Sequence, residues 1–127
     1  MNYSHFQHIN SEYFKWIFST YLNKELHDEV RIGQRKTIDL ASQDGEYGFE
    51  FKSGYNDLNT GYGLNQIYFK NGYLVVPDKY KYYALGKLYC DDMWRSGLIT
   101  VKEDGRELSL IKPINEKSEN DFEKLFS

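Results

Sequence analysis

Two runs of alternating residues, 37–42 and 46–52, flank Asp44-Gly45, and an Asp-Gly step between such runs is a strong signal for a two-residue β-hairpin. With Asp44 and Gly45 as the turn, Gln43 faces Glu46 and the register follows along the ribbon. Leu40 lies opposite Phe49, Asp39 opposite Glu50, and Ile38 opposite Phe51. Side chains alternate between the faces of a strand, so one face of the ribbon is apolar while Asp39, Glu50 and Lys52 share the other. Directly opposed residues have Cβ atoms roughly 5 Å apart, and like charges so placed are destabilising. Something positive must lie between them. Lys52 does part of this, and two carboxylates beside a lysine also form a site for a hard cation. A solvated polar face is the plain reading of Glu-x-Lys, but such a face usually sets Thr or Lys opposite Glu. Phe49 and Phe51 instead mark an interior strand.

The rest of the chain supplies elements to cover that strand. Asn10 or Ser11 as cap, with Phe14, Ile17, Phe18, Tyr21 and Leu22 at helical spacing, predicts a helix over about 11–26 with Glu12 in its first turn. A short strand is expected over 29–32. Residues 53–61 read as loop and 62–71 as a helix stopped by Gly72. The near-continuous apolar run 73–76 fits a strand covered on both faces. Pro77-Asp78 opens another helix with Asp78 as N-cap, and 98–101 and 107–111 flank Asp104-Gly105 as a second hairpin. This order, with a buried central strand, predicts an α/β fold with a mixed sheet. A single domain is expected over 1–115, followed by a polar tail over 116–127, where Phe122, Leu125 and Phe126 can dock a short helix.

Composition excludes several classes. The chain has 127 residues, suited to one domain, and Leu, Ile, Val and Phe make up about a quarter of it, too much for a disordered polymer. The longest apolar runs have four residues, so no segment spans a bilayer. The lack of a basic-then-apolar leader and the single Cys90, unable to form an internal disulfide or a zinc cage, point to a reducing cytoplasmic setting. Cys90 is expected to serve packing. With 16 basic and 19 acidic side chains the net charge is −3, which argues against generic polyanion binding. His5, His8 and His27 lack metal-ligand spacing, and no phosphate-binding P-loop is present. Tyrosine is common at 12; most tyrosines fill half-buried packing sites, and some serve as stacking platforms for bases.

A helix carrying Glu12, then Asp39, a hairpin, Glu50-Phe51-Lys52, and a helix with Gln66 leading into 73–77 form an ordered set. The set resembles the PD-(D/E)xK nuclease superfamily, which includes restriction endonucleases, archaeal Holliday junction resolvases and NucS-like DNA nucleases. The resemblance covers about residues 8–101, and it departs from the family pattern in having no Pro before the first acid. It implies a restriction endonuclease-like αβββαβ core, a mixed central sheet flanked by helices, with a C-terminal helix and hairpin added. Asp39 and Glu50 would hold Mg²⁺ or Mn²⁺ with the Phe51 carbonyl as a further ligand. Lys52 would position water and stabilise charge at the phosphate. Glu12 would complete the site from the first helix, preferred over Glu25, and Gln66 would orient the lysine or a phosphate. The implied activity is hydrolysis of DNA phosphodiester bonds.

Arg31, Arg35 and Lys36 are placed to grip a DNA backbone, and a loop containing Gly54, Tyr55, Gly61, Tyr62 and Gly63 would lie over the site. So small a chain has little surface for sequence readout, which favours structure-specific cleavage or a protein partner that supplies targeting. A homodimer would suit the two strands of a duplex. The net negative charge favours the alternative: a catalytically inactive nuclease-fold protein that binds nucleic acid or another protein.

Overall fold

Six strands form one sheet in which spatial order equals chain order. A computed structural model of the chain describes residues 3–17, 20, 23–33, 36–59, 69–90, 95–102, 107–114, 121–124 and 126. The strands are β1 (His27–Arg31), β2 (Thr37–Ala41), β3 (Tyr47–Phe51), β4 (Asn71–Pro77), β5 (Gly97–Val101) and β6 (Leu108–Lys112). The β1/β2, β2/β3 and β5/β6 pairs are antiparallel, whereas β3/β4 and β4/β5 are parallel. The protein is therefore α/β with a mixed sheet. Every residue of β3 and β5 is buried, as is the centre of β4, as expected of parallel strands covered on both sides.

Helix α1 (Tyr3–Ile17) covers one face. Its Phe6, Phe14 and Ile17 join Leu40, Phe49, Phe51, Tyr73, Val75, Ile99 and Val101 in the larger core. The other face carries Leu74, Val76 and Leu98, packed against Leu58 of α2 (Tyr55–Leu58) and Ala84 and Leu88 of α3 (Lys81–Cys90). A 3₁₀ turn, Asp78–Tyr80, leads into α3, which lies on the crossover that parallel β4 and β5 require.

Several elements differ from the sequence expectation for local reasons. Helix α1 runs through Asn10 and Ser11 instead of beginning there, because neither residue caps it. Both sit mid-helix, where Asn10 Nδ2 donates to the Phe6 carbonyl at 2.8 Å and Ser11 Oγ to the Gln7 carbonyl at 2.6 Å, a side-chain alternative to capping. Phe18, Tyr21 and Leu22 lie outside the described residues. Gly72 stops no helix; it belongs to β4, paired with Gly48. Asp78 does not cap α3, because its carboxylate accepts bonds from Thr100 Oγ1 at 2.9 Å and Lys102 Nζ at 3.2 Å. Residues 55–58, read as loop, form α2. Cys90 is exposed and has no packing role. Strands β5 and β6 pair antiparallel as expected of a second hairpin, with Val101 opposite Leu108, a register shift between Leu98 and Ile99, and Lys102 N–H donating to the Glu107 carbonyl at 2.9 Å.

The C-terminal tail is more than a polar appendage. Helix α4 (Asp121–Lys124) places Phe122, fully buried, against Phe14, Phe49 and Tyr73. Its neighbour Glu123 accepts hydrogen bonds from the Tyr73 hydroxyl at 3.2 Å and the Ile114 N–H at 2.6 Å. Tyr73 is thus clamped, with its ring stacked on Phe49. A Cβ at Gly97 would come within 2.6 Å of that ring. Gly97→Ala is accordingly expected to cost about 1–3 kcal/mol through overpacking, measurable as a lower urea midpoint with an unchanged m-value. No helix among the described residues is long and apolar enough to cross a membrane.

Candidate functional site

The first hairpin has the expected register: Leu40 pairs with Phe49 and Ala41 with Gly48. Its turn is held by Asp44, whose Oδ1 accepts from the Glu46 N–H at 3.0 Å and the Ser42 hydroxyl at 2.6 Å, with Gly45 at φ 78°, the left-handed conformation glycine favours. Past Leu40 the two strands are joined differently. The Asp39 N–H donates to Glu50 Oε1 at 3.1 Å, and the Phe51 N–H donates to Asp39 Oδ2 at 2.9 Å. Each carboxylate thus takes a backbone donor of the opposite strand, and the side chains substitute for ladder bonds. Ile38 accordingly does not join the Phe51 cluster but packs with Ala41, Phe69, Val30 and Ile32.

Strand alternation assigns this pair to the α2/α3 side of the sheet. Glu50 lies between Phe49 and Phe51, which face α1, and pairs with Leu74, which faces α3. Asp39, Glu50 and Lys52 are all buried, at 7%, 6% and 6% exposure. Lys52 reaches Asp57 of α2, with Nζ 3.7 Å from Oδ1. Asp57 also accepts the Ser53 N–H at 2.9 Å, which ties α2 to the end of β3. Asp57 was not anticipated from sequence; the signal available was an acid four residues after Ser53, spaced to close a turn on its N–H.

The electrostatics are those of a crowded acidic site. Burial, and then the Asp39 carboxylate, push the Glu50 carboxyl up to about 8, while the Asp39 N–H and the Lys52 charge pull it down. The lysine therefore does not fully compensate the acids around it. The donor set suits a hard divalent cation, which favours carboxylate oxygens and, for Mg²⁺, one or two of them with water retained. Among the described residues no group of three or more His, Cys, Asp or Glu is placed to hold a metal ion; the side chains here that could take part in holding one are Asp39 and Glu50, with the Phe51 carbonyl the adjacent backbone oxygen.

Glu12 does not join them. It lies on α1, across the sheet from the pair, is exposed, and forms a 3.6 Å ion pair with Lys15, which also binds Asp28. The cause is the helix phase: Asn10, Ser11, Phe14 and Ile17 take the buried side of α1, turning Glu12 to solvent. Glu25 is exposed near His27, with Nε2 3.9 Å from its carboxylate. Arg31 and Lys36 are exposed at the end of the β1/β2 hairpin, where Arg31 pairs with Thr37, two residues before Asp39. Tyr55 is exposed at the start of α2. Gln66, Arg35, Tyr62, Gly61 and Gly63 lie outside the described residues.

No protein-family model, curated protein or solved structure matches this chain.

Proposed function

We propose that this protein is a metal-dependent nuclease of the PD-(D/E)xK type, with a restriction endonuclease-like core, that hydrolyses phosphodiester bonds in DNA. The observation that carries the reading is the reciprocal bonding of Asp39 and Glu50 across β2 and β3, which holds two buried carboxylates together beside Lys52. Two carboxylates so placed call for either a cation or a shared proton between them, and a divalent cation meets that need together with the lysine's role in the chemistry. Asp39, Glu50 and the Phe51 carbonyl would hold Mg²⁺ or Mn²⁺, which when bound supplies Lewis-acid polarisation of the phosphoryl oxygen. The backbone N–H donors fix the orientation of both carboxylates. Lys52, held by Asp57, places a positive charge and N–H donors where negative charge grows on the phosphate as water attacks in line. Water adds across the P–O bond, leaving one phosphate end and one hydroxyl end. Glu12 has no part in this set.

A second reading is favoured by the burial of all three residues: a nuclease-fold protein that binds without cleaving, with Lys52 serving only to neutralise acids. Incubation with linear, circular, branched and single-stranded DNA in Mg²⁺, Mn²⁺ or EDTA separates the two. Metal-dependent cleavage that Asp39→Asn abolishes is the expected result. Intact substrates in every metal would retain only the binding reading.

A further inference from the structure

Five tyrosines stand out on the same side of the sheet as the acidic pair. Tyr55, Tyr82, Tyr83 and Tyr89 are exposed at 55%, 78%, 37% and 61%, and Tyr80 is half-buried against Gly54. Large apolar surfaces left in water generally mark recognition sites. Three of the rings form a built cluster. Tyr55 meets Tyr80 edge-to-face at 4.8 Å and Tyr83 at 4.7 Å, with interplanar angles of 76° and 85°. The Tyr83 hydroxyl donates to Asn59 Oδ1 at 3.0 Å. Mutually perpendicular rings fixed in this way lose little further freedom on binding.

Two of the five rings have a lysine beside them. Lys79 Nζ lies 5.2 Å from the Tyr80 ring centre, and Lys81 Nζ the same distance from that of Tyr82. The acids nearby are already engaged: Asp57 with Lys52 and Ser53, and Asp78 with Thr100 and Lys102. The local surface therefore joins exposed π faces to positive charge within a chain whose net charge is −3. Tyr55 follows Lys52 by three residues, a span of at most about 11 Å, so the cluster borders the acidic site.

We propose that Tyr55, Tyr80 and Tyr83, with Lys79 and Lys81, form a stacking platform for single-stranded nucleic acid, feeding an unpaired strand toward Asp39, Glu50 and Lys52. The proposal rests on the nuclease reading for what happens to the strand, but the binding itself does not. Unpaired bases offer π faces to aromatic rings, and lysines take the phosphates. In a duplex those base faces are occupied by neighbouring bases, so the ring cluster has nothing to stack on.

Fluorescence anisotropy with a fluorescein-labelled oligothymidylate and a labelled duplex of equal length, both in EDTA, tests the platform without cleavage. The single strand is expected to bind about tenfold or more tightly than the duplex, and Tyr55→Ala with Tyr83→Ala to lose about tenfold or more. Tyr55→Phe is expected to match wild type, because stacking needs the ring and not the hydroxyl. Lys79→Ala with Lys81→Ala should flatten the dependence of log K on log salt. Circular dichroism of each variant establishes that it is folded, and the lysine pair with the wild-type comparison of single strand and duplex carries the test if the double Ala variant is not. Equal affinity for both probes, or full binding by the double Ala variant, overturns the platform. So does a dimer in sedimentation that Tyr55→Ala dissociates while the oligonucleotide fails to bind. Wild-type binding and cleavage keep the two readings apart: single-strand binding with no cleavage sinks the nuclease alone, and cleavage without single-strand preference sinks the platform alone.

Discussion

Lys52→Met is expected to lower metal-dependent cleavage by at least about a hundredfold, the usual cost of removing one preorganised donor to developing charge. Methionine keeps most of the aliphatic volume of a side chain that is 6% exposed, so packing is largely retained. The charge is not. Removing it leaves Asp57 and Glu50 without their shared counterion, with Asp57 only 3.7 Å from where the ammonium was, and breaking a shielded pair from one side costs stability. A loss of activity could then be mistaken for unfolding. The double variant Lys52→Met with Asp57→Asn removes the Asp57 charge as well and should recover much of the lost melting temperature while cleavage stays low. Recovery of cleavage along with stability would reduce Lys52 to a neutralising role and favour the binding reading. A drop in kcat with little change in KM is the expected kinetic signature, since the donor acts on charge present only in the transition state.

What could be read from the sequence depended on whether a feature was local in its physics. The hairpin register is set by turn chemistry and two-residue alternation, so the pairing of Leu40 with Phe49 followed from Asp44-Gly45 alone. The doubly covered strand β4 was legible for the same reason, as a run with no polar face. Asp39 and Glu50 followed from register, but their exchange of backbone donors did not. That exchange opens the ladder beyond Leu40 and sends Ile38 into a separate cluster. Asn10 and Ser11 misled because a residue that caps a helix can also bond back to a carbonyl four residues earlier. Only packing against Phe49 and Phe51 decides between these, and it shifted α1 toward the N-terminus. Glu12 was placed near the site by the family resemblance alone; the expected burial of Phe14 and Ile17 holds, and it turns Glu12 to solvent. Gly72 illustrates the reverse ambiguity: a glycine after a helical pattern reads as a stop, yet it pairs with Gly48 inside a buried strand.

Glu50→Gln should melt at a higher temperature than wild type in EDTA at pH 8 to 9, and at the same temperature at pH 4 to 5. The amide keeps an oxygen to accept the Asp39 N–H and removes the charge. In the folded protein burial and Asp39 raise the Glu50 carboxyl to about 8 from its ordinary value of 4.5. Below the lower value folded and unfolded chains both carry the proton, and the acid resembles the amide. Between the two values only the folded chain keeps it, so wild-type stability falls as pH rises and levels off above about 8. The whole effect is on the order of several kcal/mol at most, and each kcal/mol moves the melting temperature of a domain this size by roughly 3–5 °C. Mn²⁺ must displace the same proton, so its stabilisation of wild type should grow with pH across this window. Glu50→Gln and Asp39→Asn should respond to Mn²⁺ far less. A metal-free pair predicts the same Mn²⁺ response for all three proteins at every pH, whatever their melting temperatures in EDTA. That result would remove the metal site and leave the carboxylates as structural acceptors for the two N–H groups they bind.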